Sequence, residues 1–325
     1  MGAGDEVGES TLAGRVLKGD RRAVARAITL VENGEAPARL LDEVGKNLGG
    51  AFILGLTGPP GTGKSTLVDR LIAEYRKRKM KVGIIAVDPT SPITGGALLG
   101  DRVRMVQHTL DSGVFIRSMA SRGWSGGLSG AVSEAIQILD AAGMKLVIIE
   151  TVGIGQSDIE IMKIAHAVIV VTMPGLGDDV QVSKAGLMEI GDIYAVNKSD
   201  LPGADAMVIN LLSVVRDMKG RSPPVLKVSA LKGEGVDRVY EAAEAIRARF
   251  LAPEGGAMRL RSTRGMIMEL AKRKLLSDLE GRASVRSAGL AARVAGREIT
   301  FEQAAELLAD SQRKYRGAPG RRSDR

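Results

Sequence analysis

The chain alternates short, continuously apolar runs with longer segments in which apolar residues recur at helical spacing. Runs that are apolar at nearly every position suit central strands of a parallel sheet, because helices cover both faces of such a sheet. The alternation therefore predicts an α/β fold with a three-layer, mostly parallel sheet and right-handed crossovers. The seven predicted strands are Phe52–Thr57, Val82–Val87, Val114–Arg117, Leu146–Thr151, Val168–Thr172, Ile193–Asn197 and Val225–Ser229.

Helical patterns without strands flank this predicted sheet. Apolar spacing from about Ser10 to Leu48 indicates helices, with a stop at Asn33-Gly34 and a new start at Pro37. We therefore predict an N-terminal helical extension (1–48) before the sheet domain (49–254).

A C-terminal helical arm (255–325) is predicted after a linker at Pro253–Gly256. Three helical patterns follow the linker, and the chain then ends in a Gly/Pro/Arg-rich tail that we expect to fray. The three patterns cover Met266–Leu276, Val285–Val294 and Phe301–Leu308.

Composition excludes several kinds of site. The 325 residues contain no cysteine, which excludes disulfides, thiolate catalysis and cysteine-bound zinc, and the two histidines, His108 and His166, cannot form a histidine metal cluster. Residues 1–10 are acidic and glycine-rich, unlike a secretory signal, and no apolar run is long enough to span a membrane. We therefore expect a cytoplasmic protein.

The net charge of +8 is unevenly distributed. Residues 258–325 hold 16 Lys and Arg against 8 Asp and Glu, which leaves 30 of each sign in residues 1–257. The basic excess thus lies wholly at the C-terminal end, and this weakens any interpretation of the chain as nucleic-acid binding throughout.

Residues 58–65 match the phosphate-binding loop G-x-x-x-x-G-K-[ST] at every fixed position, between a predicted strand and a helical pattern. The loop glycines let backbone N–H groups turn inward at a helix N-terminus, which creates an anion site. Lys64 would reach the β- and γ-phosphates, and the Ser65 hydroxyl would bind Mg²⁺. The predicted phosphate-binding residues are Gly58, Pro59, Pro60, Gly61, Thr62, Gly63, Lys64, Ser65 and Thr66.

A base-recognition motif, Asn197-Lys198-Ser199-Asp200, follows a later strand. The Asp200 carboxylate can accept hydrogen bonds from the guanine N1–H and 2-amino group, which adenine does not supply, while Asn197 braces the loop and Lys198 lies along the ring. One strand later, Ser229 precedes Ala230 and Leu231, either of which would offer a backbone N–H to the guanine oxygen. Together the motifs predict a GTPase.

Acidic residues at other strand ends are candidates for metal binding and hydrolysis. Glu150 would hold Mg²⁺ through water, unless it caps the following helix, and Gly153 would offer its N–H to the γ-phosphate. Asp88 and Asp101 would face the triphosphate as metal ligands, water ligands or a general base. Gln156 either positions the attacking water or is a solvated helix-start residue.

Taken together, these motifs resemble the MeaB/ArgK/MMAA family of P-loop GTPases, which belongs to the SIMIBI class. The similarity covers roughly residues 10 to 300. Besides the phosphate and base motifs, it rests on the segments Asp88–Ser91, Thr94–Gly96, Leu99–Arg102, Glu150–Gly153, Gly155–Ser157 and Gly177–Asp179.

The resemblance implies a P-loop NTPase fold and a homodimeric G-protein chaperone for an adenosylcobalamin-dependent acyl-CoA mutase, typically methylmalonyl-CoA mutase. It implies that Asp88, Asp101 and Glu150 surround Mg²⁺ and the γ-phosphate. Asp178, Asp179 and Lys184 would form a third switch that responds to the partner, and the C-terminal helices would form a dimerisation arm. An alternative family label, arginine/ornithine transport ATPase, fits the guanine motif less well.

Two features depart from the resemblance. Trp124 stands where a small or aliphatic residue is expected, which would alter partner contacts. The Arg-rich tail is longer and more basic than required, and leaves room for an anionic partner.

Three other classes of protein fit the sequence less well. A nickel-delivering GTPase needs His/Cys clusters that this composition lacks. A nucleic-acid-associated GTPase would use the basic C-terminal region, although that region lacks a series of aromatic residues interleaved with the basic ones for base stacking. A small-molecule kinase conflicts with the guanine motif, because kinases with this loop usually take ATP.

Overall fold

The computed structural model describes residues 11–88, 108, 110–120, 127–151, 162–175, 187–216, 218, 220 and 222–310, with backbone alone at 88, 127–129, 187–188, 277–286 and 310. Two compact units make up the chain, residues 1–270 and residues 271–325. The predicted boundaries at residues 48 and 254 stay predictions.

A seven-stranded sheet forms the centre of the first unit, with the order β3-β2-β4-β1-β5-β6-β7 and parallel pairing throughout. The prediction of a parallel α/β sheet is therefore confirmed, with every predicted strand present and shifts only at the ends. The strands are β1 (Phe52–Thr57), β2 (Val82–Asp88), β3 (Val114–Ala120), β4 (Leu146–Thr151), β5 (Ala167–Thr172), β6 (Ile193–Val196) and β7 (Val225–Lys227).

Helices lie before, between and after the strands. They are α1 (Leu12–Leu17), α2 (Arg21–Asn33), α3 (Ala38–Lys46), α4 (Lys64–Lys77), α5 (Gly127–Ala141), α6 (Leu187–Ile190), α7 (Ala204–Arg216), α8 (Val236–Leu251), α9 (Gly256–Ala295) and α10 (Phe301–Asp310).

The sheet separates two buried apolar layers, because side chains alternate between its faces. Phe52, Leu54 and Leu56 of β1 pack with α4 and α8 on one face, whereas Ile53 points to the opposite layer. That layer is formed with α2, α3, α5 and α7. Helices thus cover both faces, which explains why the strands are apolar at nearly every position.

The N-terminal helices α1 to α3 lie where the helical spacing predicted helices, and α2 packs on the sheet. α2 ends at Asn33, and Gly34 follows with a φ of 75° that an L side chain rarely adopts. Glu32 of α2 accepts a hydrogen bond from Arg117 Nη2 of β3 at 2.8 Å. The extension therefore covers the edge strand β3.

The C-terminal region differs from the sequence prediction. Pro253–Gly255 forms a 3-10 turn, and Gly256 then starts one helix of 40 residues where two shorter helices were predicted. Residues 277–284, which no predicted helical pattern covers, are largely polar. Helix formers such as Leu, Glu, Arg and Ala are enough to continue the backbone hydrogen bonding. Among the described helices, none is long and apolar enough to cross a membrane.

Candidate nucleotide site

The carboxyl ends of the parallel strands bring the predicted motifs to one edge of the sheet. β1 leads into the phosphate loop, the adjacent β4 carries Glu150, and β6 leads into Asn197 two strands away. Ser229 follows β7, the neighbour of β6. The fold thus gathers motifs that lie more than a hundred residues apart in the chain.

Two glycines of the phosphate loop occupy positions where a side chain would not fit. Gly58 has a φ of 141°, and a Cβ there would lie 2.0 Å from the Val171 carbonyl oxygen. Gly63 has a φ of 87°, and a Cβ there would lie 2.4 Å from Asn197 Nδ2. The loop is therefore built against β5 and the base motif, and glycine is what allows this approach.

Lys64, the first residue of α4, is held within the phosphate loop. Its side chain is buried, and Nζ donates to the carbonyl oxygens of Gly58 and Pro59 at 2.8 and 3.1 Å. Carbonyl oxygens carry only partial negative charge, so phosphate oxygens are stronger acceptors for this ammonium. The Lys64 ammonium therefore lies inside the loop that the sequence predicts to bind phosphate.

Ser65 and Glu150 meet at the start of α4. The Ser65 hydroxyl donates to Glu150 Oε1 at 2.6 Å, and both residues are buried. A hydroxyl and a carboxylate are hard oxygen ligands, so this pair fits Mg²⁺. Within the described residues no three His, Cys, Asp or Glu side chains cluster as a metal cage. This is compatible with Mg²⁺ sites of NTPases, in which phosphates and water complete the coordination.

Asn197 connects the phosphate loop with the base motif. Its Nδ2 donates to Thr62 O at 2.8 Å, while its Oδ1 accepts from the Ala230 N–H at 2.9 Å. The side chain is 2% exposed, so both bonds are shielded from competing water. One amide therefore fixes three loops relative to each other.

Asp200 is oriented by Ser229, whose hydroxyl donates to Asp200 Oδ1 at 2.8 Å. This hydrogen bond is the first cause that lowers the pKa of the Asp200 carboxyl, and Lys232 and Lys198 add to it electrostatically. The carboxylate is consequently ionised at neutral pH and can only accept hydrogen bonds. An ionised carboxylate suits the role predicted for Asp200, which is to accept hydrogen bonds from the guanine N1–H and 2-amino group.

Several predicted residues lie outside the described part of the chain: Asp101, Trp124, Gly153, Gln156, Asp178, Asp179 and Lys184. Asp88 is the last residue of β2, at the same sheet edge, and only its backbone is described. The roles predicted for these residues stay predictions.

Sequence reasoning missed Arg70 and the pairing of His108. Arg70 on α4 donates to the carbonyl oxygens of Ala230 and Leu231 at 3.0 and 2.9 Å. His108 Nε2 lies 3.2 Å from Asp69 Oδ1, also on α4. An arginine at a helical position carries no local signal of such a contact, because the partner loop lies about 160 residues further along the chain.

Comparison with known proteins supports what this geometry indicates. Residues 24–283 match the profile of a family described as methylmalonyl-CoA mutase-associated GTPase MeaB. The chain belongs to the MeaB family. This confirms the resemblance found in the sequence.

Relatives and a solved structure agree with this membership. A Pyrococcus horikoshii protein with a provisional GTPase name is 51% identical over 258 residues, 77% of this chain and 81% of its own. The Escherichia coli GTPase ArgK is 38% identical over 251 residues, 73% of this chain and 76% of its own. The crystal structure of an LAO/AO transport system kinase, 25% identical, superposes with a TM-score of 0.67 and covers 95% of this chain and 99% of that one.

The MeaB-family protein is therefore a P-loop GTPase, as the sequence predicted, and binds guanine nucleotides. The loops at the carboxyl edge of its sheet are where the nucleotide motifs converge.

Proposed function

We propose that this GTPase is a chaperone for an adenosylcobalamin-dependent acyl-CoA mutase, foremost methylmalonyl-CoA mutase. Nucleotide hydrolysis would time the loading, protection or reactivation of the mutase cofactor. The observation that carries the proposal is the match of residues 24–283 to a family described as associated with that mutase. The assembled phosphate and base loops supply the GTPase that such a role requires.

For catalysis we assign the phosphate contacts to Lys64 and to the backbone N–H groups of residue 58 and residues 61–66, because Pro59 and Pro60 carry no N–H. Phosphoryl transfer needs mainly positioning and charge neutralisation, and a buried lysine at a helix N-terminus provides both. Asp88, Asp101, Gly153 and Lys184 are assigned to the hydrolytic machinery as the sequence predicted. The sequence offers no arginine that is recognisable as an arginine finger, a residue that stabilises charge in the transition state of phosphoryl transfer. A group supplied across a dimer or by the mutase would therefore complete the site.

Mg²⁺ is the proposed metal, held by Ser65 and by Glu150, with Asp88 and Asp101 as further ligands. When bound, the ion would neutralise charge on the phosphate oxygens. The short Ser65–Glu150 hydrogen bond already places both oxygen donors at the carboxyl edge of β4.

Base selection is assigned to Asn197, Lys198 and Asp200 together with Ser229, Ala230 and Leu231. The ionised Asp200 would accept from the guanine N1–H and 2-amino group. Adenine offers no hydrogen on N1, so an acceptor-only carboxylate would disfavour ATP.

The remaining proposals are a homodimer formed through the C-terminal helices and a cytoplasmic location. Support for the dimer comes from α9, where Leu260, Ile267 and Met268 are more than half exposed. Exposed apolar side chains on one helix are typical of an interaction surface.

The test is phosphate release from GTP and from ATP, each alone and with a methylmalonyl-CoA mutase added. We expect hydrolysis of GTP only, and acceleration by the mutase. The Lys64→Ala variant controls for contaminating hydrolases, because it removes the ammonium from the phosphate site and should abolish turnover.

Three other outcomes would each contradict one part of this proposal. GTP hydrolysis that ignores the mutase would contradict the chaperone role and make nucleic acid the next partner to test. A preference for ATP would contradict the base assignment and favour the transport-ATPase alternative. Hydrolysis retained by Lys64→Ala would contradict the phosphate-site assignment.

A further inference from the structure

Arg70 ties the helix of the phosphate loop to the loop that follows β7. Its Nε donates to the Ala230 carbonyl at 3.0 Å, and its Nη2 donates to the Leu231 carbonyl at 2.9 Å. α4 also begins with Lys64, so one rigid helix carries both the phosphate-binding lysine and this contact. The guanidinium fork has a fixed planar geometry, which suits the simultaneous binding of two acceptors.

A hydrogen bond to a backbone carbonyl also fixes the direction of the N–H group in the same peptide unit. In a planar trans peptide the C=O of one residue and the N–H of the next point in opposite directions. The Ala230 carbonyl and the Leu231 N–H belong to one peptide unit, so Arg70 directs that N–H away from its own side chain. By the same geometry, the bond to the Leu231 carbonyl orients the Lys232 N–H.

The N–H group of the preceding peptide unit already has a hydrogen-bond acceptor. The Ala230 N–H donates to Asn197 Oδ1 at 2.9 Å. No acceptor for the Leu231 N–H occurs among the residues that the structure describes. Of the two donors that the sequence left open, the Leu231 N–H is therefore the one available to a ligand.

Other hydrogen bonds hold the ends of this loop without involving the peptide group between Ala230 and Leu231: the Gly233 and Glu234 N–H groups donate to the Ser229 carbonyl, and Asn197 accepts from the Ala230 N–H. A bridge between Ser229 and Glu234 closes it, with the Ser229 N–H donating to the Glu234 carbonyl at 2.9 Å. The Leu231 side chain is 76% exposed, so apolar burial contributes little to its position. Among the described residues, Arg70 is therefore the side chain that hydrogen-bonds the 230–231 and 231–232 peptide units.

We propose that Arg70 is a positioning residue for base selection, which presents the Leu231 N–H to the 6-oxo group of guanine. Adenine carries an amino group at that position and would meet the donor with another donor. The proposal rests on the proposed assignment of the base site to Asn197, Asp200 and the loop after Ser229. This contact would distinguish guanine from adenine at the 6-oxo position, which Asp200 does not contact.

Nucleotide analogues separate the two edges of the base. Inosine triphosphate lacks the 2-amino group that Asp200 would accept from, but keeps the 6-oxo group. 6-Thio-GTP keeps the 2-amino group and replaces the oxygen with sulfur, which is a weak acceptor. KM and kcat for GTP and both analogues are measured with the wild type, Arg70→Gln and Arg70→Lys.

The wild type should prefer GTP over 6-thio-GTP by roughly three- to tenfold in kcat/KM, the effect of one neutral hydrogen bond. Arg70→Gln should lose most of that preference through KM, while its preference for GTP over inosine triphosphate stays. Arg70→Lys should be intermediate, because a single ammonium can hold one carbonyl in place of two.

Arg78→Gln is the matched control. Arg78 follows the same helix, and its guanidinium lies 4.1 Å from the Tyr240 ring centroid, so its loss removes an equal charge without touching the base loop. This variant should behave as the wild type. Thermal melting establishes that the variants are folded, which we expect because Arg70 lies at the surface.

Different results would contradict the positioning role of Arg70 and the assignment of the base site. An undiminished preference for GTP over 6-thio-GTP in Arg70→Gln, or a uniform loss for all three nucleotides, would overturn the role of Arg70 alone. If the wild type did not distinguish GTP from ATP, the base-site assignment itself would fail.

Discussion

At the scale of single residues, the site is organised by groups whose hydrogen-bonding state is fixed. The Asn197 side chain donates a hydrogen bond to the phosphate loop and accepts one from the Ala230 N–H. Ser229 orients the Asp200 carboxylate by a hydrogen bond. These side chains are held before a ligand arrives, so less conformational freedom is lost on binding.

Asp200→Asn should change which base is accepted. An amide offers one acceptor and one donor, so it no longer matches the two donors of guanine but matches xanthine, which has a carbonyl in place of the 2-amino group. We expect kcat/KM for GTP to fall by roughly 10- to 100-fold, the cost of lost bonds to a charged group, and turnover of XTP to appear. Steady-state kinetics with both nucleotides checks this.

Asp237→Asn, a neutralisation at the start of α8, serves as the control for that substitution and should leave the GTP preference unchanged. A loss of GTP turnover in Asp200→Asn without any gain in XTP turnover would show that the carboxylate supports the fold and does not select the base.

His166 makes the stability of the fold depend on pH. Its Nδ1 accepts the Ile53 N–H at 2.9 Å, and its ring stacks on Phe250 with centroids 3.9 Å apart. Burial, aided by the positive charge of Arg261, lowers the pKa of His166 to about 3 from an ordinary value of 6.5. The folded protein thus keeps the imidazole neutral where the unfolded chain protonates it.

The sign of the effect follows from this difference. Between pH 6.5 and 3 the unfolded state binds a proton that the folded state refuses, so acidification favours unfolding. We expect His166 to contribute a fall of about 1.4 kcal/mol in the free energy of unfolding per pH unit below 6.5. Urea denaturation at several pH values, with His166→Asn as the non-titrating variant, isolates this contribution. Equal slopes for both proteins would contradict it.

At the scale of elements, Asp140 near the end of α5 holds the start of β1. Its two carboxylate oxygens accept from the N–H groups of Gly49, Gly50 and Ala51 at 2.9 to 3.1 Å. This junction joins the N-terminal extension to the sheet, and three successive backbone donors depend on one side chain.

Asp140→Ala should therefore lower the free energy of unfolding by about 2–4 kcal/mol, since it leaves partly buried donors without their charged acceptor. Asp140→Asn keeps one acceptor oxygen and should cost less. Urea midpoints check both values, and Asp42→Ala, which removes an exposed carboxylate of α3, should change stability little. A loss in Asp42→Ala as large as in Asp140→Ala would remove the structural explanation.

Local pattern predicted the strands and the nucleotide loops, because each is specified by contiguous residues. Phe52–Thr57 is apolar on both faces, and residues 58–65 carry a complete motif. The pattern could not predict contacts such as Arg70 with Ala230, which arise only when distant segments fold together. It also failed at α9, where a polar stretch without an apolar stripe continues as helix.

At the scale of the whole molecule, the basic excess is concentrated toward the C-terminal end of the chain, where α9 also exposes apolar side chains. The basic excess lies in residues 258–325, while residues 1–257 hold 30 charges of each sign. On α9, Leu260, Ile267 and Met268 are 72%, 59% and 51% exposed. Their spacing of i, i+7 and i+8 places them on one face of the helix. The C-terminal region thus combines an apolar face with like charge.

This combination predicts how the proposed homodimer should respond to salt. Burial of apolar side chains favours association, and two arms that each carry +8 repel one another. Added salt screens the repulsion, so the dimer should tighten with ionic strength. Nucleic-acid binding by the same charges would weaken with salt. Light scattering across a dilution series should give twice the 34.2 kDa chain mass at high salt, and at low salt the mass should fall toward that of one chain at higher protein concentrations.

The paired substitution Leu260→Glu with Ile267→Glu should shift this equilibrium to the monomer, because it places charge on the apolar face of both copies. Ile209→Glu on α7, also exposed, is the matched control and should remain dimeric. A wild-type chain that stays monomeric at high salt would contradict the dimer itself. A double variant that still dimerises would leave the dimer standing and exclude this face of α9, since two carboxylates per copy could not be accommodated in a buried apolar contact.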